Sequence, residues 1–207
     1  MRGSWTILTL CLLAVPVPQV AFGQATGDWW SRSKVFRSKY YTVRTDFPDA
    51  EAKELAQHMD ATCDTYISLF KGLTNWKQSQ LDLWLFQTRD DYINTLLTRV
   101  RADGTGSQGM CISRGNQILL VGWRGETGDQ RMRELLQHEG FHQFARLLFT
   151  GLPTWANEGL AEVFERGVSV DGKIVIGEVS SNDKRRLHAA LKNGFKPFGE
   201  LFEVDSS

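Results

Sequence analysis

The sequence predicts an α+β domain, and three observations carry that expectation. Alternating strand patterns at Lys39–Thr45 and Leu81–Phe86, and a strand pair about Arg114-Gly115-Asn116, are interspersed with stretches whose apolar residues recur every three or four positions. A chain of 207 residues, 42% hydrophobic and 23% charged, has the length and composition of a folded protein with one substantial core. No internal repeat or low-complexity linker divides it.

The first element is not part of that domain. Arg2 supplies a positive start, Trp5 to Val17 is mostly apolar, and Ala21-Phe22-Gly23 offers small residues at the two positions a signal peptidase reads. Residues 1–23 are therefore expected to be a signal peptide, cleaved before Gln24. The bland alternative, a retained anchor, is disfavoured by Pro16 and Pro18 and by a run shorter than the roughly 20 residues a span needs. Cys11 lacks the small residue that precedes a lipidated cysteine, so no stable membrane span or lipid anchor is expected after cleavage. The expected location is outside the cytoplasm: periplasmic, cell-envelope or secreted. Lys+Arg and Asp+Glu balance at 24 each, and loss of Arg2 leaves a mature charge of −1. No basic field for nucleic acid is left.

Residues 24–38 read as a lead segment, and 39–207 as the domain. Lys39 to Thr45 alternates as a strand, and Asp46 to Asp49 with Pro48 opens a helix over Ala50 to Phe70. That helix aligns Leu55, Met59, Cys63, Tyr66, Ile67 and Phe70 in one core-facing stripe. Leu81 to Phe86 is a second strand and Arg89 to Val100 a second helix. The glycine-rich Gly104 to Gly109 lacks the terminal Gly-Lys-Ser/Thr of a phosphate loop, so nucleotide binding gains little support. Ser107 to Ser113 and Gln117 to Trp123 form a predicted hairpin about Arg114-Gly115-Asn116.

Arg131 to Phe149 is the next predicted helix, stopped by Gly151 and Pro153, and Thr154 caps another over Trp155 to Glu165. Val168 to Ile176 carries an Asp171-Gly172 hairpin turn. Asn182 to Leu191 is a basic-faced helix, so the C-terminal part is mainly helical. The apolar Phe195 to Val204 close to the chain end suggests that further sequence, or a further domain, follows. Export would leave Cys63 and Cys111 in an oxidising compartment. Either they pair in a disulfide, or Cys63 is a buried apolar group on its helix and Cys111 an unrelated strand residue.

Chemistry concentrates in QHEGFHQFARLLFTGLPTWANEGLAEVFERG, residues 137–167. His138 and His142 lie one helical turn apart, so both rings project from one face and can share a cation. Glu139, beside the first of them, can reach a water at that cation without ligating it. Leu135, Leu136, Phe144, Leu147 and Leu148 are the expected apolar backing. The 15 residues between His142 and Glu158 suffice for a reversal into an antiparallel helix, which returns Glu158 as a third ligand. Glu162, one turn on, is expected to accept a hydrogen bond from the free ring nitrogen of a ligand histidine. Gly140 and Gly159 each cost about 1 kcal/mol relative to alanine in a helix interior, a cost that close helix approach would explain.

HEGFH followed by NEGLAE resembles the gluzincin branch of the peptidase MA clan. LPTWANEGLAEVFE is similar to an exported bacterial family within that clan. The resemblance spans roughly Lys39 to Phe202 and implies a zincin-like fold: an N-terminal mixed sheet with helices, and an active-site helix carrying HEGFH. It implies one Zn2+ per chain held by His138, His142 and Glu158, with Glu139 as general base and Glu162 as the carboxylate behind the ligands. The His142 to Glu158 spacing is a few residues shorter than in the best-known gluzincins. The resemblance also suggests that Gly109, Met110 and Cys111 form a sheet edge where an extended peptide adds as a strand; a purely structural hairpin is the alternative.

Gluzincins set a Tyr or His across the site. The last tyrosine here is Tyr92, which leaves His188, beside Arg185 and Arg186, as the candidate against the plainer reading of a solvated basic helix face. The activity implied is hydrolysis of a peptide or protein substrate. The rival is a non-catalytic, zinc-stabilised binding module of a cell-envelope protein, and the intact Glu139 argues against it. Oligomeric state leaves no mark in the sequence.

Overall fold

A computed structural model describes residues 28–73, 80–115, 117–126, 128–149, 151–177 and 181–194. The expected signal peptide and the apolar 195–204 segment lie outside the described residues.

Five strands are formed: β1 (Lys34–Arg37), β2 (Tyr41–Thr45), β3 (Leu81–Phe86), β4 (Gly109–Arg114) and β5 (Gln117–Trp123). They form one mixed sheet in the order β1-β2-β3-β5-β4, parallel at β2/β3 and β3/β5 and antiparallel at both edges. The architecture is thus α+β, with six α-helices among the described residues. No described helix is long and apolar enough to cross a membrane.

Two helices bury one face of this sheet. In α2 (Asp49–Leu69), Leu55, Met59 and Cys63 recur at helical spacing and are buried with Val43, Leu83 and Leu85 from the strands and Met132 and Leu136 from α4 (Asp129–Leu148). The other face is covered only in part, by α1 (Trp29–Arg32), α3 (Arg89–Thr95) and the π-helical turn Leu96–Val100, which bury Trp29, Tyr92 and Leu96 against Phe86 and Val121. Beyond the sheet, α5 (Thr154–Glu165) leads to a hairpin of β6 (Val168–Val170) and β7 (Lys173–Val175), and then to α6 (Ser181–Lys192). Asp171 and Gly172 both take positive φ at the hairpin turn, as the Asp-Gly pair predicts.

One expectation needs correction, and one open alternative is decided. The lead segment is not separate from the domain, because β1 pairs with β2 and Trp29 is buried under the sheet. Four residues are too few to show a helical or strand period, which is why α1 and β1 escaped notice. Nor do the cysteines pair: Cys63 and Cys111 are both free thiols. Cys63 lies in the core under α2, which packs on β2, whereas Cys111 sits on β4 at the far edge.

Candidate metal centre

Helix α4 is fixed to the sheet before it presents any functional group. The Gln143 side-chain amide donates to the carbonyls of Asp82 and Ile118, both at 2.9 Å, tying the helix to β3 and β5. Met132, Leu136, Phe141 and Phe144 are buried, while Leu147, expected in the backing, is exposed. Gly140 allows the close approach: a Cβ there would stand 2.7 Å from Met59 Cε and 3.5 Å from the Tyr66 hydroxyl. Gly159 has no such role, since a Cβ would meet nothing within 4 Å.

Helix α5 returns beside α4 after Gly151, at φ +78°, and Pro153. Gln137 clamps its end, the side-chain amide donating to the carbonyls of Phe164, Glu165 and Gly167, while the Tyr66 hydroxyl donates to the Gln137 carbonyl. Early residues of α4 meet late residues of α5, so the two run antiparallel. Phe141, Phe144 and Phe164 cluster on Tyr66 between them.

This clamp brings together His138, His142 and Glu158. One carboxylate oxygen of Glu158 lies 3.5 Å from His138 Nε2, and the other lies 3.5 Å from His142 Nε2. All three donors fall within 4.8 Å of one another. Donors about 2.1 Å from a tetrahedral zinc stand about 3.4 Å apart, so the spacing fits such an ion. The three residues form a group that could hold a metal ion. The Glu158 side chain is 52% exposed and those of His138 and His142 are 17% and 10%, so the group is backed by protein and open on the α5 side.

Burial holds His142 below the usual imidazole pKa, with His138 and Arg146 adding to the effect and Asn157 and Glu158 opposing it. A neutral ring is what ligation requires. Asn157 lies alongside, yet the buried His142 Nδ1 has no hydrogen bond of ordinary length. His138 is oriented from behind by Glu165, whose carboxylate oxygen is 2.9 Å from Nδ1. Glu165 thus takes the position expected of Glu162, which is exposed and 3.4 Å from Arg166 Nη2. The sequence offered only part of the signal: at 100° per residue, Glu165 lies within about 20° of the Glu158 direction and Glu162 about 40° away on the opposite side, so both stay near one face.

Glu139 lies outside the ligand group. Burial raises its carboxyl pKa, and the nearby Glu158 acts in the same direction, while His138, the Cys111 N–H and Arg146 oppose them. Arg146, another residue that sequence reasoning passed over, donates through Nη1 to the Cys111 carbonyl at 2.7 Å and to Ser113 Oγ at 3.0 Å. In β4 the Gln108 carbonyl accepts from the Trp123 N–H, so by antiparallel alternation Met110 points its backbone groups at β5 while Gly109 and Cys111 point theirs outward. The outward groups of Cys111 already face Glu139 and Arg146.

His188 is exposed on α6 and makes no described contact with the ligand group. Tyr92 is fully buried, with its hydroxyl 2.8 Å from Ser107 Oγ. A cavity of about 530 Å³ between α5 and α6 reaches Glu162, Arg166 and Leu187, but none of His138, Glu139, His142 and Glu158 lines it. No family model matches the chain, and no curated protein matches it.

Proposed function

We propose that this protein is a zinc-dependent peptidase of zincin-like fold that acts on a peptide or protein substrate outside the cytoplasm. The observation that carries the reading is the convergence of His138, His142 and Glu158, whose donor atoms lie within 4.8 Å of one another, with Glu139 beside the first of them. In this reading His138 and His142 bind through Nε2 and Glu158 through its carboxylate, while Glu165 fixes the His138 ring and raises its basicity. Zinc held there supplies a Lewis acid that polarises a scissile carbonyl and acidifies a water.

Glu139 takes the proton of the attacking water and delivers it to the departing amine. Its burial supports that role, because a carboxyl with a raised pKa is a better proton acceptor and donor near neutrality. The outward groups of Gly109 and Cys111 offer the extended substrate main-chain hydrogen bonds, once Arg146 gives way at the Cys111 carbonyl and Glu139 at its N–H. Location outside the cytoplasm rests on the character of residues 1–23.

A non-catalytic zinc-stabilised module is the second reading, favoured by the absence of any described contact between His188 and the ligand group. Zinc content and hydrolysis of a broad peptide library, measured on the same samples of wild type and Glu139→Gln, separate the two. A peptidase loses turnover and keeps metal. A metal-free wild type that folds and works would end both readings.

A further inference from the structure

Glu139 and Arg146 lie seven residues apart on α4, two helical turns, so they share one face. That face runs along the edge strand β4, and the two elements point the same way. A Cβ on Gly109 would stand 2.9 Å from Leu135 Cδ2, the Cys111 N–H donates to Glu139, and the Cys111 carbonyl and Ser113 Oγ accept from Arg146. Arg146 therefore stands at the Ser113 end of an edge that passes the metal group.

The other arginines of α4 are ion-paired, Arg131 with Glu134 and Glu165 and Arg133 with Glu54. Arg146 has no carboxylate within ion-pair distance among the described residues. It donates instead to neutral groups: the Cys111 carbonyl at 2.7 Å, Ser113 Oγ at 3.0 Å and, more weakly, Cys111 Sγ at 3.4 Å. Its side chain is exposed, so the charge is open to a ligand. The carbonyl it occupies is the outward acceptor that an added strand uses. A peptide that pairs with β4 takes this carbonyl and releases the guanidinium beside itself.

We infer that Arg146 selects peptides that carry a carboxylate at the Ser113 end of this edge, an inference that rests on the peptidase reading for the placement of substrate along β4. The forked guanidinium donors match a carboxylate in two parallel hydrogen bonds, which repays the acceptor lost at Cys111. A neutral peptide leaves the displaced guanidinium without a partner. Seven residues of helix carry Arg146 about 10 Å beyond Glu139, the length of about three residues of extended strand. The carboxylate is thus about three residues from the bond held at the metal group. Its source depends on direction. A peptide antiparallel to β4 lays its N-terminal part over Ser113 and presents an Asp or Glu side chain there, whereas a parallel one can end there and present its terminal carboxylate.

Affinity is measured on zinc-loaded Glu139→Gln protein by fluorescence anisotropy. The probes are labelled decapeptides with one Glu, Gln or Lys scanned along a neutral Ala/Ser/Phe background, each with its C-terminus free or amidated. Binding about tenfold tighter is expected for Glu over Gln at one position, which identifies a side chain, or for free over amidated ends, which identifies the terminus. Adding Arg146→Gln should abolish the preference, Arg146→Lys should keep part of it, and Arg146→Glu should turn it toward the Lys peptides, a reversal that a merely structural arginine would not give. Arg146 is exposed, and the Gln and Lys variants keep the test valid should the charge reversal fail to fold. Wild-type hydrolysis of the same peptides is read separately: a carboxylate preference in binding without any hydrolysis upholds this role of Arg146 and overturns the peptidase reading. The inference is overturned if no peptide binds, if charged and neutral peptides bind alike, or if Arg146→Gln leaves the preference unchanged.

Discussion

The 2.9 Å contact between His138 Nδ1 and Glu165 Oε2 joins the first residue of the candidate metal group to the last residue of α5. It fixes which ring nitrogen is left for a cation, because Nδ1 is engaged and Nε2 faces Glu158. Removing such a carboxylate typically costs about 10- to 100-fold in metal affinity. Glu165→Gln should therefore weaken zinc binding by that order in a competition titration. Glu162→Gln should leave it close to wild type. The reverse ranking would return the supporting role to Glu162.

Glu139→Gln keeps the side-chain size and removes the proton acceptor. Zinc content should stay near one per chain, the stoichiometry of a single three-ligand site, while peptide turnover falls by roughly 10² or more. Glu158→Gln replaces an anionic ligand with a neutral amide and should instead lose metal on dialysis. Elemental analysis and rates on shared samples give both answers, and full activity in Glu139→Gln would end the general-base assignment.

His58 supplies a stability term with a definite sign. Burial, with Arg133 nearby, lowers its pKa from 6.5 to about 4. Between those values the unfolded chain binds a proton that the folded chain does not, so stability falls as pH drops through the window and is fully recovered above about 6.5. The loss should approach about 3 kcal/mol at pH 4. Urea denaturation of metal-free protein across this range should show the slope in wild type and a flatter one in His58→Gln; parallel slopes would remove His58 as the cause.

Cys63 and Cys111 should both be recovered as free thiols by mass spectrometry of unreduced protein. Burial pushes each thiol up to about 12, and Cys63 is fully inaccessible, so alkylation of Cys63 at neutral pH should require unfolding. A mass lower by two hydrogens, with no alkylation after unfolding, would show instead that the pair oxidises.

By itself the sequence determined the parts of this site that depend on local geometry. His138, Glu139 and His142 share a helix, so the 100° helical step alone puts both rings on one face with the acid beside them. Gly151, Pro153 and Thr154 marked the reversal that brings α5 back, alternation marked β2 and β3, and the turn at Arg114-Gly115-Asn116 marked β4 and β5. Only the tertiary structure decided which α5 glutamate stands behind His138, because that depends on how α5 is rotated against α4, a rotation set by the Gln137 clamp and the Tyr66 aromatic cluster. It also decided that Cys63 and Cys111 stay free, since one is packed in the core on α2 and the other lies on the edge strand β4. The row formed by Thr42, Asp82, Leu119 and Ile112 is the furthest from anything a sequence can show, because these four residues become neighbours only through interstrand hydrogen bonding.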